Sequence, residues 1–101
     1  MMYCITIRIA EHRHDEWLTW MRDVHVPDVL ATQCFRAAWL MKPEGGSLGD
    51  YRVYYDATDA ATFAVYQRDF APALQVDHSE RFAGDFAASR EILGVIARYP
   101  A

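Results

Sequence analysis

Trp17-Leu-Thr-Trp-Met-Arg-Asp-Val-His-Val-Pro-Asp-Val-Leu-Ala-Thr-Gln-Cys-Phe35 is the stretch whose reading decides the fold. Trp17, Trp20, Met21 and Val24 recur at helical spacing and give one apolar stripe on a helix from Asp15 to Val24. Pro27 has no amide proton and forces Val26 away from the α region, so that helix is expected to break there. The best place for Pro27 is the first position of a new short helix, Pro27 to Ala31. Cys34 to Lys42 then reads as a strand with Phe35, Ala37, Trp39 and Met41 on one side. The other flank is also a strand. Met2 to Ala10 alternates, with Tyr3, Ile5, Ile7 and Ile9 on one face and Cys4, Thr6 and Arg8 on the other, the period of a strand half buried against helices.

Working outward, Glu11-His12-Arg13-His14-Asp15 is a polar turn in which Asp15 or a neighbour can cap the helix. Pro43-Glu-Gly-Gly-Ser-Leu-Gly49 is a loop, and Asp50 to Asp56 is a third strand in which Tyr51, Val53 and Tyr55 alternate with Arg52 and Tyr54. Thr58-Asp59 opens the next helix, which carries Phe63, Tyr66 and Phe70 inward. Pro72 repeats the role of Pro27, a second helical piece runs from Ala73 to Phe82, and Gly84 stops it. The last segment, Gly84 to about Leu93, has helix-like pairs such as Ala87-Ala88, yet the β-α-β order demands a strand.

The order is therefore β-α-β twice. Val26-Pro27-Asp28-Val29-Leu30 against Ala71-Pro72-Ala73-Leu74 is a faint echo between the halves. With right-handed crossovers this order yields an α+β fold, a four-stranded antiparallel sheet with both helices on one face. The opposite face would carry Cys4, Tyr54 and, in one register of the second strand, Trp39. A homodimer pressing two such open faces together would cover them.

The chain has 101 residues, enough for one domain spanning residues 1–101, and 52% of them are hydrophobic. A body this size buries only roughly two-thirds of its unfolded surface. Its three Trp, six Tyr and five Phe therefore suggest a subunit interface or a ligand pocket. A net charge of −4, with Lys42 the only lysine, excludes the basic stripe that nucleic acid requires. No apolar run approaches the about 20 residues of a membrane span. The N-terminus lacks the pattern of a signal peptide, and Cys4 and Cys34 alone make no disulfide scaffold, so a cytoplasmic location is expected.

Trp17-xx-Trp20-Met21, His25-Val-Pro-Asp-Val-Leu-Ala-Thr32, Ala71-Pro-Ala-Leu-Gln75 and His78-xx-Arg81-Phe82 resemble a set of small bacterial proteins known only as a domain of unknown function. That set is similar to the dimeric α+β barrel group, and the resemblance runs along nearly the whole chain. It implies a ferredoxin-like βαββαβ monomer and a homodimer. It brings no reaction, because the wider group holds cofactor-free oxygenases, haem enzymes, isomerases and binding modules alike.

Of the four histidines, His12 and His14 lie in the polar turn and read as solvated. His25 and His78 differ, because both crossover helices run in the same sense and end at the same end of the domain. The topology thus makes them neighbours, with Arg81 and Arg22 nearby. A histidine titrating near neutrality serves as acid or base, and Arg81 would hold an anionic or enolate oxygen. The plainer readings are a cap by His25 on carbonyls freed at Pro27, and a salt-bridged surface for His78 beside Asp77 and Glu80. Tyr54, Tyr66, Arg68 and Arg90 could line an interior, with a carboxylate across a dimer as the expected partner of Arg90. Trp20 is core packing first and a ligand-wall residue second. No spacing matches a metal motif, and no cofactor is expected. A non-catalytic homodimer that binds a small molecule is thus the first expectation. A cofactor-free oxygenase or isomerase acting on a small organic acid or phenol through His25 and His78 is the alternative.

Overall fold

The computed structural model describes residues 1–101, and its elements follow the expected order. Strand β1 (Met2–Ile9) leads through a 3-10 turn at Glu11–Arg13 into α1 (His14–Trp20). A π-helical turn, Met21–His25, joins α1 without a break to α2 (Val26–Ala31). Strands β2 (Phe35–Met41) and β3 (Asp50–Ala57) form a hairpin. Helices α3 (Ala60–Asp69) and α4 (Ala71–Arg81) cross back to β4 (Phe86–Leu93). The four strands are antiparallel in the order β2-β3-β1-β4, the ferredoxin-like arrangement, which leaves β2 and β4 at the edges.

The two prolines do not act alike. At Pro72 the chain does break, because Phe70 sits at φ −122°, ψ −42° between two separate helices. At Pro27 it does not. Val26 N–H reaches back five residues to the Met21 carbonyl, and the widened turn admits the proline ring into a continuous helix. This changes which residues face inward. Val24, expected in the apolar stripe, is exposed, while Met21 and His25 turn toward the sheet. Trp20 and His25, five apart, then stack at 4.9 Å and 28°.

The helix-facing side of the sheet carries Tyr3, Ile7, Ile9, Tyr51, Val53 and Tyr55, packed against Trp17, Met21, Val29, Phe63 and Phe82. The second strand departs from its expected pattern. A bulge between Phe35 and Ala37 changes the face, so Phe35 enters the core against Tyr55 and Tyr66, whereas Trp39 lies opposite Tyr54 on the open side. Phe35 and Trp39 are thus on opposite faces rather than together. Trp39 and Met41 remain 44% and 38% exposed, and the open face stays uncovered in the single chain.

Other local expectations divide. Asp59 caps α3 by accepting from the Thr62 amide at 2.7 Å, as its position before the helix implies. Asp15 is no cap; Arg13 holds that position without a side-chain bond, and Asp15 lies in the first turn, where its charge suits the helix dipole. Phe70 is 37% exposed at the break between α3 and α4 instead of facing inward. His14 is not solvated, since its Nδ1 lies 3.3 Å from the Tyr51 hydroxyl and its side chain is largely covered. Gly49 immediately precedes the third strand at φ +94°, and a Cβ there would overlap the Ile9 carbonyl. No helix is long and apolar enough to cross a membrane.

Candidate functional site

The site is built where the π turn meets α4. His25 projects from the widened turn and His78 from the last full turn of α4, and their ring centroids are 5.8 Å apart. Parallel crossover helices bring these residues to one end of the molecule. Trp17 from α1 donates its indole N–H to His78 Nε2 at 2.9 Å, a fully buried bond. Phe86 at the start of β4 meets the same imidazole edge-on at 4.5 Å.

Both rings line a cavity between the helices and the sheet. Its clear space is about 30 Å³, the share of one water in the liquid. Ile5, Ile7, Met21, Val29, Leu74 and Ala88 supply the apolar wall. The polar groups come from every layer: Tyr3 of β1, Tyr55 of β3, Tyr66 of α3, Gln75 of α4 and Arg90 of β4. No carboxylate lines it. Arg90 stands opposite Ile5 in the β1–β4 register, which puts it on the helix side of the sheet.

Electrostatics keep the site neutral except for Arg90. Burial pushes His78 down to about 4, and the neighbouring His25 and Arg90 push the same way. Burial also lowers His25, against the weaker pull of Asp77 and Asp28. Burial raises the Tyr55 and Tyr66 hydroxyls far above their ordinary range. It raises Tyr3 as well, although Arg90 and Gln75 favour its ionised form. At pH 7 the cavity therefore holds two neutral imidazoles, three protonated phenols and one guanidinium.

Four residues expected at a site meet here: His25, His78, Tyr66 and Arg90. Five do not line the cavity. Tyr54 lies on the open face beside Cys4 and Trp39, because it alternates with Tyr55. Trp20 backs the two imidazoles without lining the space, and the exposed Arg81 lies over its ring at 5.0 Å. Arg68 and Arg22 pair with the adjacent Asp69 and Asp23 on the surface. Neither plain reading of the histidines fits. His25 Nδ1 is buried without a partner, so it caps no carbonyl, and His78 is buried rather than salt-bridged at the surface. Arg90 makes no ion pair within the chain. Tyr3, Tyr55 and Gln75 went unmarked in the sequence, although the alternation of the strands was enough to place both tyrosines on the helix side. No group of three or more His, Cys, Asp and Glu side chains is arranged to hold a metal ion.

Three solved structures illustrate the fold's relatives. An ethyl tert-butyl ether d (ethd) family protein from Bacillus halodurans is 13% identical, with TM-score 0.68, over 93% of this chain and 99% of that one. A provisionally assigned antibiotic biosynthesis monooxygenase from Deinococcus radiodurans is 11% identical, with TM-score 0.62, over 100% of both chains. A dimeric ferredoxin-like protein from an uncultured marine organism is 10% identical, with TM-score 0.63, over 99% of this chain and 98% of that one. At such identities the likeness is one of fold alone. No curated protein sequence matches. A family model does, over residues 1–96, and the chain belongs to the domain of unknown function DUF4286.

Proposed function

We propose that this chain is a homodimeric small-molecule-binding protein whose ligand site is the cavity between His25 and His78. The observation that carries the reading is the pair of neutral imidazoles, His78 buried and His25 half-buried, sharing one space with an arginine that has no ion pair. A core built only for stability would favour apolar groups there, since each buried polar atom left without a partner costs about 1–3 kcal/mol. Retaining His25 with a partnerless Nδ1 suggests selection for something other than packing. Opening of the cavity, by movement of the edge strand that carries Arg90, would admit a ligand larger than one water.

The homodimer is the second half of the proposal. Trp39 and Met41 beside Tyr54 form an apolar strip on a sheet face that no part of the chain covers. A second copy, related by a twofold axis, supplies a matching strip. The marine ferredoxin-like protein of the same fold is described as dimeric, which agrees with this arrangement. Light scattering on the purified chain is expected to give twice the 11.6 kDa monomer mass. A fragment screen read by the His25 and His78 ring signals is expected to find ligands. A clean monomer removes the dimer, and a screen whose hits all avoid the cavity removes the site.

A second reading has its own support. Two imidazoles and a guanidinium around one small cavity are suited to proton movement on a small organic acid or phenol, as in a cofactor-free oxygenase or isomerase. The Deinococcus protein's provisional name lies in that class, although it speaks for that protein only. Turnover abolished in both His25→Ala and His78→Ala, with binding retained in one of them, would favour this reading over simple binding.

A further inference from the structure

We infer that the cavity is a receptor for an oxyanion, a carboxylate or enolate carried by a small molecule, because the polar groups around it are set to donate hydrogen bonds and Trp17 fixes one of them in that state. The inference rests on the cavity being a ligand site, as proposed above, and adds what the site would recognise.

One group beside the cavity has only one way to bond. An indole N–H donates and never accepts. The Trp17 bond to His78 Nε2, at 2.9 Å and buried, therefore requires a lone pair on that nitrogen. A neutral imidazole has one N–H, so in His78 it stands on Nδ1. The Trp17 bond is the one hydrogen bond His78 makes, which leaves Nδ1–H available to the cavity. His25 holds the other tautomer. Its Nδ1 is buried with no partner, and a buried orphan N–H is rarer and more costly than a buried orphan lone pair. The proton accordingly stands on Nε2.

The remaining groups agree. Arg90 brings a guanidinium with N–H donors and no acceptor, makes no ion pair within the chain and borders the cavity. Gln75 offers an amide, and the Tyr3, Tyr55 and Tyr66 hydroxyls keep their protons. No carboxylate lines the wall to receive a proton or repel an anion, and the nearest acids acting on His25, Asp77 and Asp28, lie outside it. A cation would find no counter-charge, whereas an oxyanion would meet several neutral donors and one full positive charge. On this assignment His78 in its resting state is a donor to oxygen and no base, since Trp17 occupies its lone pair, and Trp17 is a positioning residue that keeps it so.

Nitrogen-15 spectra of the labelled chain at pH 7 test the premise directly. His78 is expected as the Nδ1–H tautomer and His25 as Nε2–H, and the reverse tautomer in either ring overturns the assignment. Titration with formate against formamide, which share a shape but not a charge, tests the conclusion. Formate is expected to move both ring signals with a Kd at least about tenfold lower. Formamide binding as well as formate would overturn the oxyanion assignment and leave the ligand site standing. If formate, formamide and phenol all leave the rings unmoved, both fall. Arg90→Ala, on an exposed edge strand, is expected to erase most of the preference for formate while the tautomers persist; an unchanged preference contradicts the role given to Arg90. Trp17→Phe, once its amide spectrum shows it folded, is expected to release His78 into a tautomer mixture. Retention of pure Nδ1–H would remove Trp17 as the positioning residue, with the wild-type spectrum deciding the rest.

Discussion

Acid should weaken this fold through one identifiable side chain. His78 is 7% exposed and burial holds its pKa at about 4, against 6.5 for the free side chain. Between those values the unfolded chain binds a proton that the folded chain refuses. Stability must therefore be full above about pH 6.5, fall as the pH drops through that window, and level off below about pH 4. The gap corresponds to about 3 kcal/mol at 1.36 kcal/mol per pH unit, a large share of the roughly 5–15 kcal/mol that hold a domain together. Urea denaturation of the wild type and of His78→Gln at pH 7, 5.5 and 4 isolates the effect, because the other titrating groups are common to both. The glutamine variant is expected to start less stable, having lost part of the Trp17 acceptor, and to lose about 3 kcal/mol less on acidification. Parallel pH profiles would refute the burial and neutrality assigned to His78. His25, whose pKa burial also lowers, adds to the wild-type slope in the same direction.

Gly49→Ala should cost more than about 2 kcal/mol by thermal unfolding, because it adds both a positive-φ penalty and an overlap with the Ile9 carbonyl. Asp59→Ala should cost about 1 kcal/mol, read from denaturant midpoints, through loss of the bond to the Thr62 amide. Trp39→Glu should convert the proposed dimer to a folded monomer in light scattering with little change in circular dichroism, since Trp39 is already 44% exposed in the single chain. An unfolded variant would mean that Trp39 belongs to the core instead.

Much of the fold is legible in the sequence because its signals are local. Period-two alternation in Met2–Ile9 and Asp50–Ala57, and a proline after each crossover helix begins, suffice to order the elements. What escapes is phase. A single wide turn at Met21–His25 exchanges Val24 for His25 on the inner face, and a single bulge beside Phe35 moves Trp39 to the opposite side of the sheet. Each is one residue of slippage, set by how the helix and strand pack and invisible to a pattern of apolar spacing. The meeting of His25 with His78 follows from topology, and so does the placing of Tyr66 near them. Trp17 reads as simple core packing in the sequence, since nothing in a helical stripe tells which indole will find a buried acceptor. Tyr54 lies on the open face, where its alternation with Tyr55 puts it, and so it cannot also line the cavity beneath the helices.

The central claim is that two neutral histidines share one cavity beneath the helices. Proton NMR of the ring signals against pH tests it most directly. A nuclear Overhauser contact is expected between the His25 and His78 rings, whose centroids are 5.8 Å apart, with a His78 midpoint near 4. Two rings with no mutual contact, each titrating independently near the ordinary value of about 6.5, would contradict it.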